Sequence, residues 1–174
     1  MKNLGFKVHL NLLKKCLIYK GESTMEIIRK AEAKDLCRIA EILVFSKRLN
    51  YRPIFHNDEY SFGELQVVNV MKEYEEDLEK LSYTWVYDDE FVKGLIEIEG
   101  KEIKTLYVEP LLTSSGIGAS LLEFAIETFE VDHLWALEKN TRAIEFYKRH
   151  GFICTNEKIP EEGTSEFLVK LIRK

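Results

Sequence analysis

The chain has 174 residues, of which 45% are hydrophobic and 32% are charged, so it can bury the core of one globular domain. Its formal net charge of −5 argues against nucleic acid or an anionic membrane surface as a partner, because both require a basic patch. Neither a disulfide framework nor a metal site is predicted, since Cys16, Cys37, Cys154 and the four histidines lack the necessary spacing. The cysteines are typical of reduced thiols in a cytoplasmic protein.

Residues 1–24 form a basic and apolar N-terminal extension. Lys14 and Lys15 interrupt its apolar run and no small-residue cleavage site follows, so neither a secretory signal nor a membrane span is predicted. The segment 20–22 can be encoded by a purine-rich string that resembles a bacterial ribosome-binding site, just upstream of Met25. We therefore predict a domain over 25–174 preceded by a translated leader. An added helix or a homodimer contact is the alternative role for residues 1–24.

The hydrophobic periodicity predicts one α+β domain, in which a single sheet carries helices on its faces. Strands are predicted over 26–30, 83–88, 91–99, 103–108, 132–137, 152–156 and 166–172. Helices are predicted over 33–49, 62–81, 117–129 and 141–150, with Asn140 capping the last of them. A polar and aromatic loop over 50–58 separates the first two helices. In this loop Tyr51 and Phe55 either line a substrate mouth or pack locally.

The segment 102–129 joins a strand to a helix through a loop of small residues. The loop and the start of the helix comprise Thr113, Ser114, Ser115, Gly116, Ile117, Gly118 and Ala119. Unpaired N–H groups at a helix start, exposed by glycine and favoured by the helix dipole, can bind an anion such as a pyrophosphate. A tight turn in which the glycines serve only backbone geometry is the alternative. Neither a P-loop lysine nor a complete dinucleotide fingerprint follows the glycines.

Two motifs resemble those of the GNAT superfamily of acetyl-CoA-dependent N-acetyltransferases. The first is Leu106-Tyr107-Val108-x-Pro110 followed by the loop that ends in Gly116-Ile117-Gly118. The second runs from Leu134 to Phe152 and contains Asn140, Ala143, Phe146, Tyr147 and Gly151 at the family's spacing. The resemblance implies a mixed, mostly antiparallel sheet of about seven strands with helices on both faces.

The resemblance also implies acetyl-CoA as the cofactor. Its pantetheine would lie along Leu106, Tyr107 and Val108, and its pyrophosphate would lie on the loop over 113–119, with Asn140, Ala143 and Tyr147 also at the cofactor. Thr113 and Ser115 stand where the family usually carries polar or basic residues, so a charge-assisted contact is missing. Lys148 and Arg149 are candidates to replace that contact.

The implied activity is transfer of the acetyl group to a primary amine by direct attack on the thioester. Tyr147 corresponds to the family's general acid, which protonates the leaving thiolate. Glu102 corresponds to a general base found in some members, and Glu97, Glu99 or solvent are the alternatives. The acceptor is a small molecule, or a protein N-terminus or lysine, and the residues do not select among these.

Two other functions remain open from the sequence. Because the loop departs from the family pattern at Thr113 and Ser115, the chain could be an acyl-CoA-binding sensor that no longer transfers the acyl group. A protein-interaction domain without a cofactor is the third hypothesis. Binding of acetyl-CoA and release of its thiol in the presence of amines discriminate among the three.

Overall fold

The computed structural model describes residues 17–20 and 23–174. The first two strands, β1 (Leu17–Lys20) and β2 (Ser23–Glu26), pair antiparallel as a separate two-stranded sheet. The predicted domain boundary at Met25 falls inside β2, and residues 1–16 and 21–22 of the predicted leader lie outside the described residues. The leader hypothesis therefore stays a prediction.

The main sheet has seven strands in the order β3-β4-β5-β6-β7-β9-β8. These are β3 (Ile28–Lys30), β4 (Thr84–Asp89), β5 (Phe91–Glu99), β6 (Glu102–Val108), β7 (His133–Leu137), β8 (Phe152–Pro160) and β9 (Phe167–Arg173). Five of the six neighbouring pairs are antiparallel and only β6 and β7 run parallel. The predicted seven-stranded, mostly antiparallel sheet is confirmed.

Helices cover both faces of this sheet. They are α1 (Leu36–Phe55), α2 (Val67–Glu76), α3 (Leu78–Ser82), α4 (Ile117–Phe129) and α5 (Thr141–Arg149). One hydrophobic cluster lies under α1 and α2, with Ile39, Val44 and Tyr74 at its centre. The other cluster lies under α4 and α5 and includes Leu121 and Phe152. The sheet is thus the middle layer of three, and its cores lie on opposite sides.

A glycine on β5 sets how closely α4 approaches the sheet. A β-carbon at Gly94 would lie 3.0 Å from the Tyr107 carbonyl oxygen and 3.1 Å from the Ile117 side chain. Any larger residue would push the helix away from the strand. Gly94 therefore fixes the start of α4 against β5 and β6.

The strand predicted over 152–156 extends to Pro160 in the structure. Two other predicted elements differ more. The loop predicted over 50–58 is helical as far as Phe55, although Pro53 lies inside α1. Tyr51 contacts Phe55 and bonds Tyr107, and this packing outweighs the cost of the proline. The helix predicted over 62–81 is divided into a π-helical turn at Glu59–Glu64, α2 and α3. Asp77 ends α2 in a non-helical conformation, and its side chain caps α3.

In the part of the chain that the structure describes, no helix is long and apolar enough to cross a membrane.

Candidate functional site

The centre of the sheet is split between its two parallel strands. β6 and β7 pair only at Glu102 with His133 and at Ile103 with Leu134. Beyond these pairs β6 continues along β5 and β7 continues along β9, so the facing edges of β6 and β7 diverge. The gap opens into a cavity of about 800 Å³ whose wall includes Leu106, Tyr107 and Val108. Strand edges that face such a gap present unpaired main-chain groups.

The start of α4 forms one wall of the cavity. Gly116 precedes the helix at a φ of 91°, a conformation that is strained for any residue with a β-carbon. The N–H groups of the first turn have no partner within the helix and are available to an anion. Thr113, Ser114, Gly116, Gly118 and Ala119 line the cavity. Ile117 instead turns its side chain into the core, so only its main chain can serve a ligand.

Thr113 and Ser115 are the two residues that depart from the family pattern. The hydroxyl group of each is hydrogen-bonded within the loop. Thr113 Oγ1 donates to the Pro110 carbonyl oxygen at 3.1 Å, and Ser115 Oγ donates to the Leu112 carbonyl oxygen at 2.5 Å. Each hydroxyl has a single proton to donate. The donors that remain for an anion are the main-chain N–H groups and Ser114, and Ser115 itself does not line the cavity.

The N-terminal end of α5 forms the opposite wall. Asn140 Oδ1 accepts a hydrogen bond from the Ala143 N–H at 3.2 Å, which confirms the predicted helix cap. Asn140, Ala143 and Tyr147 all line the cavity. Tyr147 is 7% exposed and packs edge to face against Phe146 and Phe152. Burial, together with the nearby phenol of Tyr51, raises the pKa of Tyr147 well above its usual range, so its hydroxyl keeps its proton.

Basic side chains approach the cavity from α5. Arg142 and Arg149 line it, whereas Lys148 pairs with Glu145 at 2.9 Å and is not part of the wall. Of the two residues predicted to compensate for the altered loop, the structure brings only Arg149 to the site. Arg142 was not predicted at the site. It lies two residues after the cap residue Asn140 and therefore in the first turn of α5.

The predicted general base lies at the closed end of the gap. Glu102 lines the cavity, and its carboxylate pairs with Lys104 at 3.1 Å and lies 3.7 Å from His133 Nε2. Glu97 is buried away from the cavity and accepts a hydrogen bond from the Tyr74 hydroxyl. Glu99 lies near Lys104 outside the cavity. Of the three glutamates considered from the sequence, only Glu102 is therefore at the site.

A further group of polar residues enters the cavity from α1, from the π-helical turn that follows it and from the hairpin between β8 and β9. We call it the α1 side of the cavity, and it consists of Lys47, Tyr51, Tyr60 and Glu161. The Tyr51 and Tyr107 hydroxyls are hydrogen-bonded at 2.5 Å, and burial raises the pKa of both phenols. Tyr51 therefore lines the cavity and also packs against Phe55, whereas Phe55 does not line it.

Lys47 and Glu161 were not predicted to be at the site. A signal for Lys47 exists in the sequence, because it interrupts the apolar stripe of α1 between Val44 and Tyr51. Glu161 carries no comparable signal, since it lies in a polar turn that is indistinguishable from a solvated one.

Two contacts fix α1 against the strand that opens the site. Arg38 donates to the Glu109 carboxylate at 2.6 Å and to the Val92 carbonyl oxygen at 3.0 Å. About two turns further along α1, Ser46 Oγ donates to the Val108 carbonyl oxygen at 3.2 Å. The start of the loop and the α1 side of the cavity are therefore held in one rigid frame.

Known proteins share this fold and parts of this sequence. The model of the acetyltransferase (GNAT) domain matches residues 56–169. An uncharacterized N-acetyltransferase of Methanocaldococcus jannaschii is 36% identical over 70 residues, which are 37% of this chain and 31% of that protein. The chain thus matches about a third of the length of that curated relative.

Solved structures resemble the whole domain. Apo-form YjaB from Escherichia coli has a TM-score of 0.67 at 22% identity, covering 83% of this chain and 95% of that one. The PaiA N-acetyltransferase from Thermoplasma acidophilum, in complex with coenzyme A, has a TM-score of 0.62 at 23% identity and covers 82% and 96%. YncA from Salmonella typhimurium, a putative acetyltransferase with its cofactor acetyl-CoA, has a TM-score of 0.59 at 20% identity and covers 84% and 92%.

The divided sheet, the glycine-opened helix and the matched domain model agree on one class of protein. The chain belongs to the GNAT acetyltransferase family. The family and fold predicted from the two motifs are confirmed.

Proposed function

We propose that this protein transfers the acetyl group of acetyl-CoA to a primary amine. Acetyl-CoA is the cofactor of the family, and two structural neighbours were solved with coenzyme A or acetyl-CoA. When bound, it supplies an acetyl group activated as a thioester. The observation that carries the proposal is the cavity between β6 and β7, which reaches from the N-terminus of α4 to the tyrosines and the Glu161 carboxylate of the α1 side.

The residues of the cavity fit the cofactor without a basic loop. The first turn of α4 offers main-chain N–H groups and the positive end of the helix dipole to a pyrophosphate. Arg142 and Arg149 add positive charge from α5. The edge of β6 over 106–108 that faces the cavity can form main-chain hydrogen bonds with the amide groups of a pantetheine, which would then lie along β6 like an added strand.

Acyl transfer needs a donor for the developing oxyanion, a proton acceptor and a proton donor. A main-chain N–H of β6 can stabilise the oxyanion. As the new N–C bond forms and the C–S bond breaks, the amine loses a proton and the leaving thiolate gains one. Tyr147 is the proton donor, because its buried phenol is neutral. Glu102 is the proposed acceptor, and Glu161 is a second carboxylate on the same cavity.

The test is acetyl-CoA-dependent thiol release with a broad panel of amines. We expect at least one amine to increase thiol release above the hydrolysis rate, and Tyr147→Phe to lower kcat by roughly 100-fold. The dissociation constant for acetyl-CoA should change by less than about threefold in this variant, because the ring remains in the wall. Tyr87→Phe is the matched control, since Tyr87 is on β4 outside the cavity.

Two results would contradict the proposal. Tight acetyl-CoA binding without amine-dependent thiol release would favour the acyl-CoA-binding sensor. Absence of acetyl-CoA binding would favour a protein-interaction domain. Full turnover in Tyr147→Phe would remove this residue from the mechanism and leave the transferase activity intact.

A further inference from the structure

The α1 side of the cavity carries two side chains of opposite charge. Lys47 lies on the face of α1 that packs on the sheet, one turn before Tyr51. Glu161 follows β8 directly, and its main chain is held on both sides. Its N–H donates to the Glu166 carbonyl oxygen at 2.9 Å, and its own carbonyl oxygen accepts from the Thr164 N–H at 3.2 Å. Lys47 is therefore positioned by α1, and Glu161 by a hydrogen-bonded turn between β8 and β9.

Neither charge is neutralised by a direct ion pair with another described residue. On the same hairpin, Glu166 does pair with Lys139, at 2.8 Å. Glu97 acts on Lys47 only at longer range, and its carboxylate already accepts the Tyr74 hydroxyl. Lys47 and Glu161 are thus left to face the cavity and each other.

Their surroundings remove part of their hydration. Burial and the nearby Lys80 lower the pKa of Lys47, although the carboxylates around it oppose this. Burial raises the pKa of Glu161, an effect that Lys47 partly offsets. A partly desolvated charge without a partner is unfavourable in the protein alone, and such groups are typical of binding sites where the ligand completes the pairing.

The remaining groups of this side are neutral. Tyr51 and Tyr60 have raised pKa values through burial, so their hydroxyls act as hydrogen-bonding partners without a charge. A ligand that satisfies this side must therefore bring one positive and one negative group. All charges of a polyamine are positive, so one of its ammonium groups would lie near Lys47.

We propose that the acceptor is an amino carboxylate, a molecule whose reactive amine is bound at Glu161 and whose carboxylate is bound at Lys47. The inference rests on the proposed function, because it takes the amine to be the acetyl acceptor. It assigns to Lys47 and Glu161 the choice of substrate and leaves the transfer itself to β6, Tyr147 and Glu102.

The experiment compares acids with their amides. Glycine, β-alanine, 4-aminobutanoate and 6-aminohexanoate are each assayed beside the corresponding carboxamide, with spermidine as the polyamine. The amide removes the negative charge at nearly unchanged size. We expect at least one acid to exceed its amide in kcat/KM by roughly tenfold or more, as for a charge-assisted contact, and spermidine to be a poorer substrate than that acid.

Variants assign the preference to its residue. Lys47→Met should reduce the ratio of kcat/KM for the acid to that for the amide to about one, because the carboxylate loses its charged partner. Lys101→Met removes a lysine outside the cavity and should retain the full ratio. Glu161→Gln should lower kcat/KM for both the acid and its amide, because it weakens binding of the amine that they share.

The outcomes separate this inference from the proposed function. Acetylation of amines without any preference for the acid, or a preference that survives in Lys47→Met, overturns the inference and leaves the transferase intact. If no amine is acetylated, calorimetric titration of the same acid and amide into the protein with coenzyme A decides. Binding of the acid but not of its amide supports a site for one positive and one negative group in a protein that does not transfer the acetyl group. Equal binding of the two, or binding of neither, overturns the inference.

Discussion

Lys47 and Glu161 face a cavity whose walls remove part of the water that would otherwise solvate them. Lys47 has a lowered pKa in the folded protein, so its ammonium form costs stability at any pH below that pKa. Glu161 has a raised pKa, so its contribution to stability is present at low pH and is lost as pH rises through the folded pKa. At neutral pH both residues therefore lower the free energy of unfolding.

Replacing either residue by a neutral one should stabilise the protein. We expect Lys47→Met and Glu161→Gln each to raise the free energy of unfolding at pH 7, by about 0.5–2 kcal/mol for Lys47→Met and by less for the more solvated Glu161. Urea unfolding with and without each substitution measures this change.

The pH dependence identifies the cause. The gain from Glu161→Gln should disappear as pH falls below about 4, where the carboxyl group becomes protonated in both folded and unfolded chains. Lys101→Met, outside the cavity, should give no gain at any pH. A decrease in stability at pH 7 in Lys47→Met would show that the ammonium stabilises the fold and would argue against an unpaired charge.

The sequence predicts these two residues poorly, for physical reasons. Tyr147, Asn140 and Gly116 belong to local patterns whose spacing is fixed by one helix or one loop. Lys47 and Glu161 are 114 positions apart by number and meet only because α1 and the β8–β9 hairpin lie against the same cavity. Such a meeting depends on the tertiary fold, which local periodicity does not encode.

The loop before α4 is an element whose shape depends on one backbone conformation. Gly116 has a φ of 91°, and a β-carbon there would meet no atom within 4 Å. Gly116→Ala should therefore cost about 1–2 kcal/mol through backbone strain alone. If the loop relaxes to relieve that strain, the N–H groups of the first turn move, and the KM for acetyl-CoA should rise by more than about fivefold.

A matched substitution separates strain from function. Gly100 has a φ of 58° and equally open surroundings, but it lies in the turn between β5 and β6. Gly100→Ala should cost similar stability and leave the KM for acetyl-CoA unchanged. Equal KM values in wild type and Gly116→Ala would argue that this loop does not hold the cofactor.

Most elements were predictable because their periodicity agrees with their packing. Most strands of the main sheet and the two helices that flank the site have bounds close to those predicted, although β8 runs four residues further than predicted, to Pro160. The larger exceptions lie between α1 and α3, where long-range contacts decide. Pro53 indicates a loop by itself, yet the helix continues because Tyr51 gains a partner on β6, far along the chain.

At the scale of the molecule, the divided sheet couples the two halves of the fold. The main chains of the β3-β4-β5-β6 half and the β7-β9-β8 half pair at two residue pairs, and side chains of both halves share the core under α4 and α5. A ligand between β6 and β7 bridges these halves, so binding of coenzyme A should stabilise the whole domain. We expect about 2.7 kcal/mol of stabilisation at a ligand concentration 100 times the dissociation constant.

Hydrogen exchange locates this effect. Amides on the free edges of β6 and β7 should exchange at least tenfold more slowly with coenzyme A bound, whereas those of β4 should change only as much as global stability does. Protection confined to α4, with no change along β6, would contradict insertion of the pantetheine between the strands.

Because β6 and β7 stop pairing after Ile103 and Leu134, part of the site is formed by main-chain groups, and this affects which substitutions the site tolerates. The edge that faces the cavity over 104–108 is made of peptide groups, which every residue except proline supplies equally. Side chains along this edge can therefore be exchanged without removing its hydrogen-bonding capacity. A chain only 22% identical shares this fold. Under the proposed assignment, substitutions at Lys47 and Glu161 would change the preferred acceptor without altering this main-chain edge.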